Sequence, residues 1–325
     1  MYIYIYGCRI LSQQRLPSLG KVAMYIYIAT NYMSPARIQI AKPDVVRYFD
    51  QSVPKIFKLT DLASILTQQR TFWRLAQRTT TQDFVDFLLR HSKLKRLSFP
   101  FPYRAEQRFV WGNVPLLEVL LTLKKNSYFT HFTAVRMHGL TEQIPKTIYL
   151  NHEQPAHAQN RTLEQSKIDA AFSRAPRVSQ NAIDFGDVRI CLINGMNTNH
   201  LGIIDELMTY DGTEPVQVRV TNIERTLIDI TVRPSYSGGV AEVLKAFSLA
   251  RDRFSVNRLA AMLQKLSYVY PYHQAIGFYL ERAGHDSSSL DLLRRFPMEV
   301  DFYLTHKMGS TDYVKDWRLY IPKGF

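Results

Sequence analysis

Between residues 44 and 111 three short helical periodicities are followed by two alternating segments, and that order limits the fold more than any other feature. Val45, Val46, Phe49, Val53 and Phe57 recur on one face of a first helix over residues 44–57, interrupted near its end by Pro54. Thr60 caps a second helix carrying Leu62, Ala63, Ile65 and Leu66, and Phe72 with Trp73 in the following connector is expected to plug the core. Thr80 and Asp83 form a capping-box pair ahead of Phe84, Val85, Phe87, Leu88 and Leu89, which predicts a third helix. Residues 94–101 then alternate, Pro100 and Pro102 force a turn, and residues 108–111 return as a second strand. Three helices and a hairpin are the plan of a winged helix-turn-helix.

Such a module suits DNA because a helix N-terminus offers free N–H groups to a phosphate while the next side chains reach base edges in the major groove. Arg74, Gln77, Arg78, Thr79, Thr80, Thr81 and Gln82 crowd that end of the third helix, and Arg90 lies on its polar face. Lys93, Lys95 and Arg96, with Arg104 and Arg108 on the hairpin, face only Glu106 and are expected to lie along phosphates. Asp83 and Asp86 oppose this unless one of them caps the helix or reads a cytosine amino group.

The wider composition agrees with a polyanion partner. Lys and Arg outnumber acids 41 to 28, a formal charge of +13. Cys8 and Cys191, the two cysteines, stand far apart, so neither a disulfide framework nor a thiolate zinc site is expected and a reducing cytoplasm fits. No apolar run approaches the roughly 18 residues of a spanning helix, so no membrane partner is expected. Residues 1–32 differ from the rest: Tyr and Ile alternate at both ends around Arg9, Arg15 and Lys21, with no acid. They read as a non-native or disordered extension before Met33; without them the charge falls from +13 to +10 and the chain stays basic.

The remainder reads as a larger mixed α/β domain over residues 113–325, after a winged-helix domain over residues 33–112, which makes the whole chain α+β. Residues 114–123 predict a helix with Pro115 in its first turn. A helix capped by Thr130 and closed by Gly139 precedes a strand over residues 146–151. Residues 153–181 are polar and read as a mobile insertion, helical at most over 162–172. Gly186-Asp187 turns a hairpin within residues 182–194, and a strand over 216–220 enters a helix over 222–231. Two more helices, over 255–266 and 270–283, and terminal strands over 298–304 and 318–321 complete the reading.

No Walker loop, Gly-x-Ser-x-Gly or His-Glu-x-x-His stands in the chain, so no catalytic residue and no cofactor are assigned. His131 and His138, seven apart, suit core or capping roles better than metal ligation, because no third ligand has matching spacing. Arg225 and Asp229 at i and i+4 predict an intrahelical ion pair. Glu299 and Asp301, with Lys307 nearby, leave two alternatives, a metal-dependent nuclease centre or a structural salt link.

Three segments carry a resemblance: His131 to Asn151 (HFTAVRMHGLTEQIPKTIYLN), Val220 to Pro234 (VTNIERTLIDITVRP) and Tyr268 to Gly284 (YVYPYHQAIGFYLERAG). With the winged-helix pattern they resemble the AbiEi-type antitoxins of type IV toxin–antitoxin systems. The resemblance implies a non-enzymatic repressor that binds inverted repeats of double-stranded DNA in its own promoter. It also implies a C-terminal domain that counters a nucleotidyltransferase toxin without a stable complex. A DNA-processing nuclease and a basic protein-interaction scaffold are the alternative functions.

Overall fold

The computed structural model describes residues 37–156, 163–210, 212 and 214–325. The extension read at residues 1–32 lies outside them. The chain divides into two compact units, residues 37–53 with 60–92, and residues 54–59 with 93–325.

The smaller unit holds α1 (Arg37–Gln51), α2 (Leu59–Gln69) and α3 (Thr81–His91). Its core is aromatic: Trp73 stacks on Phe84 at 5.7 Å and meets Tyr48 edge-on at 5.5 Å, while Phe49 and Leu62 are fully buried. Of the two aromatic residues expected to plug this core, Trp73 does so and Phe72 points outward, 73% exposed. The first helix ends earlier than its periodicity suggests. Ile56 and Phe57 form a short strand instead, because the extended backbone after Pro54 pairs antiparallel with residues 109–110.

That strand, β1 (Ile56–Phe57), belongs to the larger unit with β2 (Leu94–Phe99) and β3 (Glu106–Trp111), in the order β1-β3-β2. In the sequence the elements run helix, strand, two helices, hairpin. The hairpin is anchored inside its own unit, where Phe99 stacks on Phe185 at 4.9 Å.

Next come α4 (Leu116–Leu121), β4 (Tyr128–Phe129), α5 (His131–Met137), β5 (Thr147–Glu153), α6 (Gln165–Phe172), β6 (Ala182–Phe185), β7 (Val188–Gly195), β8 (Ile203–Met208), β9 (Val216–Thr221) and α7 (Ile223–Val232). The six strands form one mixed sheet, β6-β7-β5-β4-β9-β8. Its central pair β4·β5 is antiparallel, the flanking pairs β5·β7 and β4·β9 are parallel, and its outer pairs are antiparallel hairpins. Alternation along β5 sends Ile148 and Leu150 into one core, shared with the hairpin and α4, and Tyr149 into the other.

The second core is helical. It gathers α5, α6 and α7 with α8 (Val240–Ala250), α9 (Val256–Leu266), α10 (Tyr272–Arg282), α11 (Ser287–Arg294) and a small sheet of β10 (Phe302–Tyr303), β11 (Thr311–Val314) and β12 (Leu319–Pro322). Gly277 on α10 is required there: a Cβ at that position would lie 2.1 Å from the fully buried Trp317 ring. The architecture is α+β, as the sequence pattern implies. The insertion read over residues 153–181 needs correction where it is described, because α6 buries Ile168 and Phe172 in the helical core and Lys307 N–H donates to the Phe172 carbonyl.

Candidate nucleic-acid face and a polar cleft

The capping box at α3 forms as its spacing predicts. Thr80 Oγ1 accepts from Asp83 N–H at 3.1 Å, and the Asp83 carboxylate accepts from Thr80 N–H at 3.0 Å and from the Thr80 hydroxyl at 2.7 Å. The Thr80 hydroxyl and N–H donors hold the Asp83 carboxyl below the usual carboxylate range. Thr80 is therefore the cap and Asp83 its N3 partner in the box, and Thr81 and Gln82 are the first-turn residues outside it. Gln82 donates to Asp86 Oδ1 at 2.9 Å, so the second carboxylate is engaged along the helix. Arg90 Nε turns back to the Asp86 carbonyl.

The connector entering α3 is clasped by Arg70, a residue that no motif in the sequence marks. Arg70 donates to the carbonyls of Ala76 at 2.7 Å, Gln77 at 3.3 Å and Thr79 at 3.0 Å. Three carbonyls on one guanidinium fix the loop's path, a use to which arginine's planar fork is suited. Arg74, Gln77 and Arg78 are left exposed on that loop, with Thr79 partly covered. Arg74 takes a left-handed conformation at φ 52°.

The hairpin cations are arranged differently from the expectation. Arg108 is buried at 3% exposure: its guanidinium pairs with Glu106 at 3.2 Å and donates to Thr122 Oγ1 and to the Thr122 and Leu123 carbonyls. It is a structural anchor for the turn after α4, which removes it from the set of phosphate contacts. Lys124 shares Glu106 at 2.9 Å. Burial alone would raise the Glu106 carboxyl, but Lys124 and Arg108 bring it below its ordinary range. Lys93, Lys95, Arg96 and Arg104 are exposed. Lys95 reaches Asn113 at 2.8 Å and Arg96 lies over the Phe109 ring, and as neighbours on β2 these two occupy opposite faces of the hairpin.

A cleft of about 1020 Å³ opens in the larger unit, among residues after β4, at the ends of β5 and β7, on α7 and in the α9–α10 connection. It is lined by the Arg225–Asp229 pair on α7, Nε to Oδ1 at 2.7 Å, with side chains only 5% and 7% exposed. Thr130 donates to the other Asp229 oxygen at 2.9 Å, and Arg225 Nη1 donates to Thr198 Oγ1 at 3.0 Å and the Leu201 carbonyl at 2.7 Å. Burial would lower the Arg225 pKa, but the Asp229 charge raises it well above its ordinary value. Thr198 joins this pair to a second carboxylate. Glu153 accepts from the Thr198 hydroxyl, from Thr198 N–H at 2.9 Å and from Tyr128 OH at 3.1 Å. Burial raises the Glu153 carboxyl, and the Thr198 and His200 donors more than reverse it.

Two glycines keep this network close. A Cβ on Gly195 would meet the Asn151 amide at 2.7 Å, and one on Gly202, at φ 74°, would meet Arg225 Cβ at 2.8 Å. His131 opens α5 at φ 51° and lines the cleft, edge-on to Tyr236 at 5.1 Å. Burial lowers its pKa to about 4, and its Nδ1 has no hydrogen-bond partner among the described residues.

The two histidines seven apart do not share a site: His138 Nε2 sits 2.6 Å from the Thr221 carbonyl, away from the cleft-lining residues. Asp301 is bound by Arg318 Nε at 2.9 Å and Tyr313 OH at 2.8 Å, the salt link rather than an open acidic centre. No group of three or more His, Cys, Asp or Glu placed to hold a metal occurs among the described residues. None of the helices among them is long and apolar enough to cross a membrane.

No protein-family model and no curated protein matches this chain. Its fold is similar to the crystal structure of the Rv2827c protein from Mycobacterium tuberculosis, with a TM-score of 0.56 at 15% identity over 87% of this chain and 91% of that one. The likeness extends over both units and concerns the fold.

Proposed function

We propose that the protein is a DNA-binding autoregulator and antitoxin of the AbiEi kind, non-enzymatic, that represses from inverted repeats in its own promoter and counters a nucleotidyltransferase toxin. The observation that carries the DNA-binding half is the clasped, arginine-bearing loop leading into a capped helix. Arg74, Gln77 and Arg78 project from a backbone fixed by Arg70, and Thr81 and Gln82 follow outside the capping box. A preset loop lowers the ordering entropy that phosphate binding would otherwise demand. The antitoxin half rests on the three sequence segments that resemble the family. The nuclease alternative loses support from Asp301, whose carboxylate is engaged by Arg318 and Tyr313.

The test is a salt-titrated binding assay of the full chain against the DNA upstream of its reading frame, beside a scrambled duplex of equal length. Selective binding is expected. Arg74→Ala and Arg78→Ala should each weaken binding to every sequence and reduce the logarithmic salt slope by about one for each phosphate no longer neutralised. Changes at Thr81 or Gln82 should shift sequence preference instead. Equal affinity for both duplexes would refute the autoregulator. Co-expression with a neighbouring nucleotidyltransferase gene product tests the antitoxin half, which fails if toxicity is unrelieved.

A further inference from the structure

The polar cleft of the larger unit is lined by none of the residues assigned to DNA, and its lining combines charge and flat rings in one place. Four of its lining residues are charged, namely Arg177, Arg225, Arg233 and Asp229. Arg225 and Asp229 neutralise one another at 2.7 Å, so Arg177 and Arg233 supply the net charge. Both are exposed, and they are tied together, since Arg233 Nη1 donates to the Arg177 carbonyl at 2.7 Å and its guanidinium lies over the Tyr236 ring at 5.9 Å. The Arg177 guanidinium makes no hydrogen bond or ion pair among the described residues, so its five donors are unspent in a residue that lines the cleft. Planar guanidinium forks of this kind suit bidentate contact with phosphate oxygens.

Rings also line the cleft, among small polar and aliphatic side chains. His131 and Tyr236 come from the α5 and α7 ends, and Tyr268, Tyr270 and Tyr272 from the α9–α10 connection. The buried His131 Nδ1 has no partner within the described residues and the residue carries a left-handed backbone, a strained arrangement of the kind found at ligand sites. Ligand pockets typically span about 300–1,000 Å³ and pair apolar or aromatic walls with a few placed polar groups, and this cleft is at the large end of that range.

We propose that the cleft is a mononucleotide-binding site: Arg177 and Arg233 take the phosphates at the mouth, and the His131 and tyrosine rings take the base. The site is additional to the DNA-binding face and does not depend on it. Rings recognise a base through stacking and the arginines recognise its phosphates, so neither half of the ligand should bind well alone.

The test is isothermal titration calorimetry of the full chain at about 0.15 M salt, near the ionic strength at which exposed charges beyond about 8 Å are screened. ATP, GTP, CTP and UTP are titrated separately, beside adenosine and inorganic pyrophosphate. At least one triphosphate should bind, with the nucleoside and pyrophosphate at least about tenfold weaker. Arg177→Ala keeps the backbone carbonyl that Arg233 uses and should weaken the nucleotide by about tenfold or more, the scale of one charge-assisted contact. Arg78→Ala, on the DNA-binding face, should leave nucleotide affinity unchanged while lowering DNA affinity. The proposal is overturned if no triphosphate binds to folded protein at about 1 mM, the limit of weak specific affinity. It is equally overturned if pyrophosphate binds as tightly as the nucleotides, or if Arg177→Ala binds like the wild type.

Discussion

Replacing Asp229 with asparagine removes one charge from the centre of the cleft network and almost no volume. Arg225 would then stand 5% exposed with neutral acceptors alone, the amide oxygen, Thr198 Oγ1 and the Leu201 carbonyl. With charge centres about 4 Å apart and an effective dielectric near 20, the forfeited attraction is about 4 kcal/mol. Removing one partner of a buried pair typically costs about 3–5 kcal/mol, so the two routes agree. Thr130 also loses its carboxylate acceptor, which argues for the upper half of that range. Urea unfolding followed by far-UV circular dichroism reads the effect; at a slope of about 2 kcal/mol per molar the midpoint should fall by roughly 2 M. The double variant Arg225→Met with Asp229→Leu removes both charges and should recover most of the loss, because paired burial and apolar burial are near equivalent. A single variant within about 1 kcal/mol of wild type, the scale of an exposed pair, would refute the reasoning. So would a double variant no more stable than the single one.

Gly277→Ala should destabilise by about 1–3 kcal/mol despite alanine's better helix propensity, since its Cβ would press the Trp317 ring; thermal melts should show Trp317→Leu partly rescuing it. Arg108→Ala should lower the melting temperature and leave the salt dependence of DNA binding unchanged, whereas Arg104→Ala should do the reverse; a changed salt slope in Arg108→Ala would return that residue to the interface. Acid should weaken the fold through His131 and His273, both lowered from 6.5 to about 4 by burial. The unfolded chain binds their protons first, so stability rises with pH between about 4 and 6.5, each histidine contributing up to about 3 kcal/mol. Urea midpoints measured across that range should fall as pH drops and steepen less in His273→Phe.

Local chemistry was legible in the sequence where one short segment decides it. The α3 capping box, the Gly186-Asp187 hairpin and the Arg225–Asp229 pair all form as their spacing requires. Periodicity misled where an apolar residue serves a strand: Phe57 continues the helical pattern of α1 yet pairs with Phe109. The polar run after residue 153 allowed a helix over 162–172 but concealed that α6 is docked, because only Ile168 and Phe172 are needed to bury it. Charge counting likewise failed for Arg108, whose burial depends on Thr122, Leu123 and the turn after α4 as well as on nearby Glu106. The cleft left almost no linear trace, since Thr130, Gly195, Arg225 and Tyr268 come from well-separated segments.

The parallel pairing of β4 with β9 also sets an order of events during synthesis. Phe129 pairs with Val220, about 90 residues later, and Thr130 finds its Asp229 acceptor at a separation of 99. At translation rates of about 5–20 residues per second, β4 emerges roughly 5–20 s before its neighbour exists. During that interval only the antiparallel β4·β5 pairing is available to shield one of its edges. Long-range parallel contacts close slowly, so neither the six-stranded sheet nor the Thr130–Asp229 hydrogen bond can be completed before β9 and α7 have emerged. A ribosome-bound chain stopped before β9 would expose Phe129, which is fully buried in the finished protein, and would be the natural substrate for a chaperone.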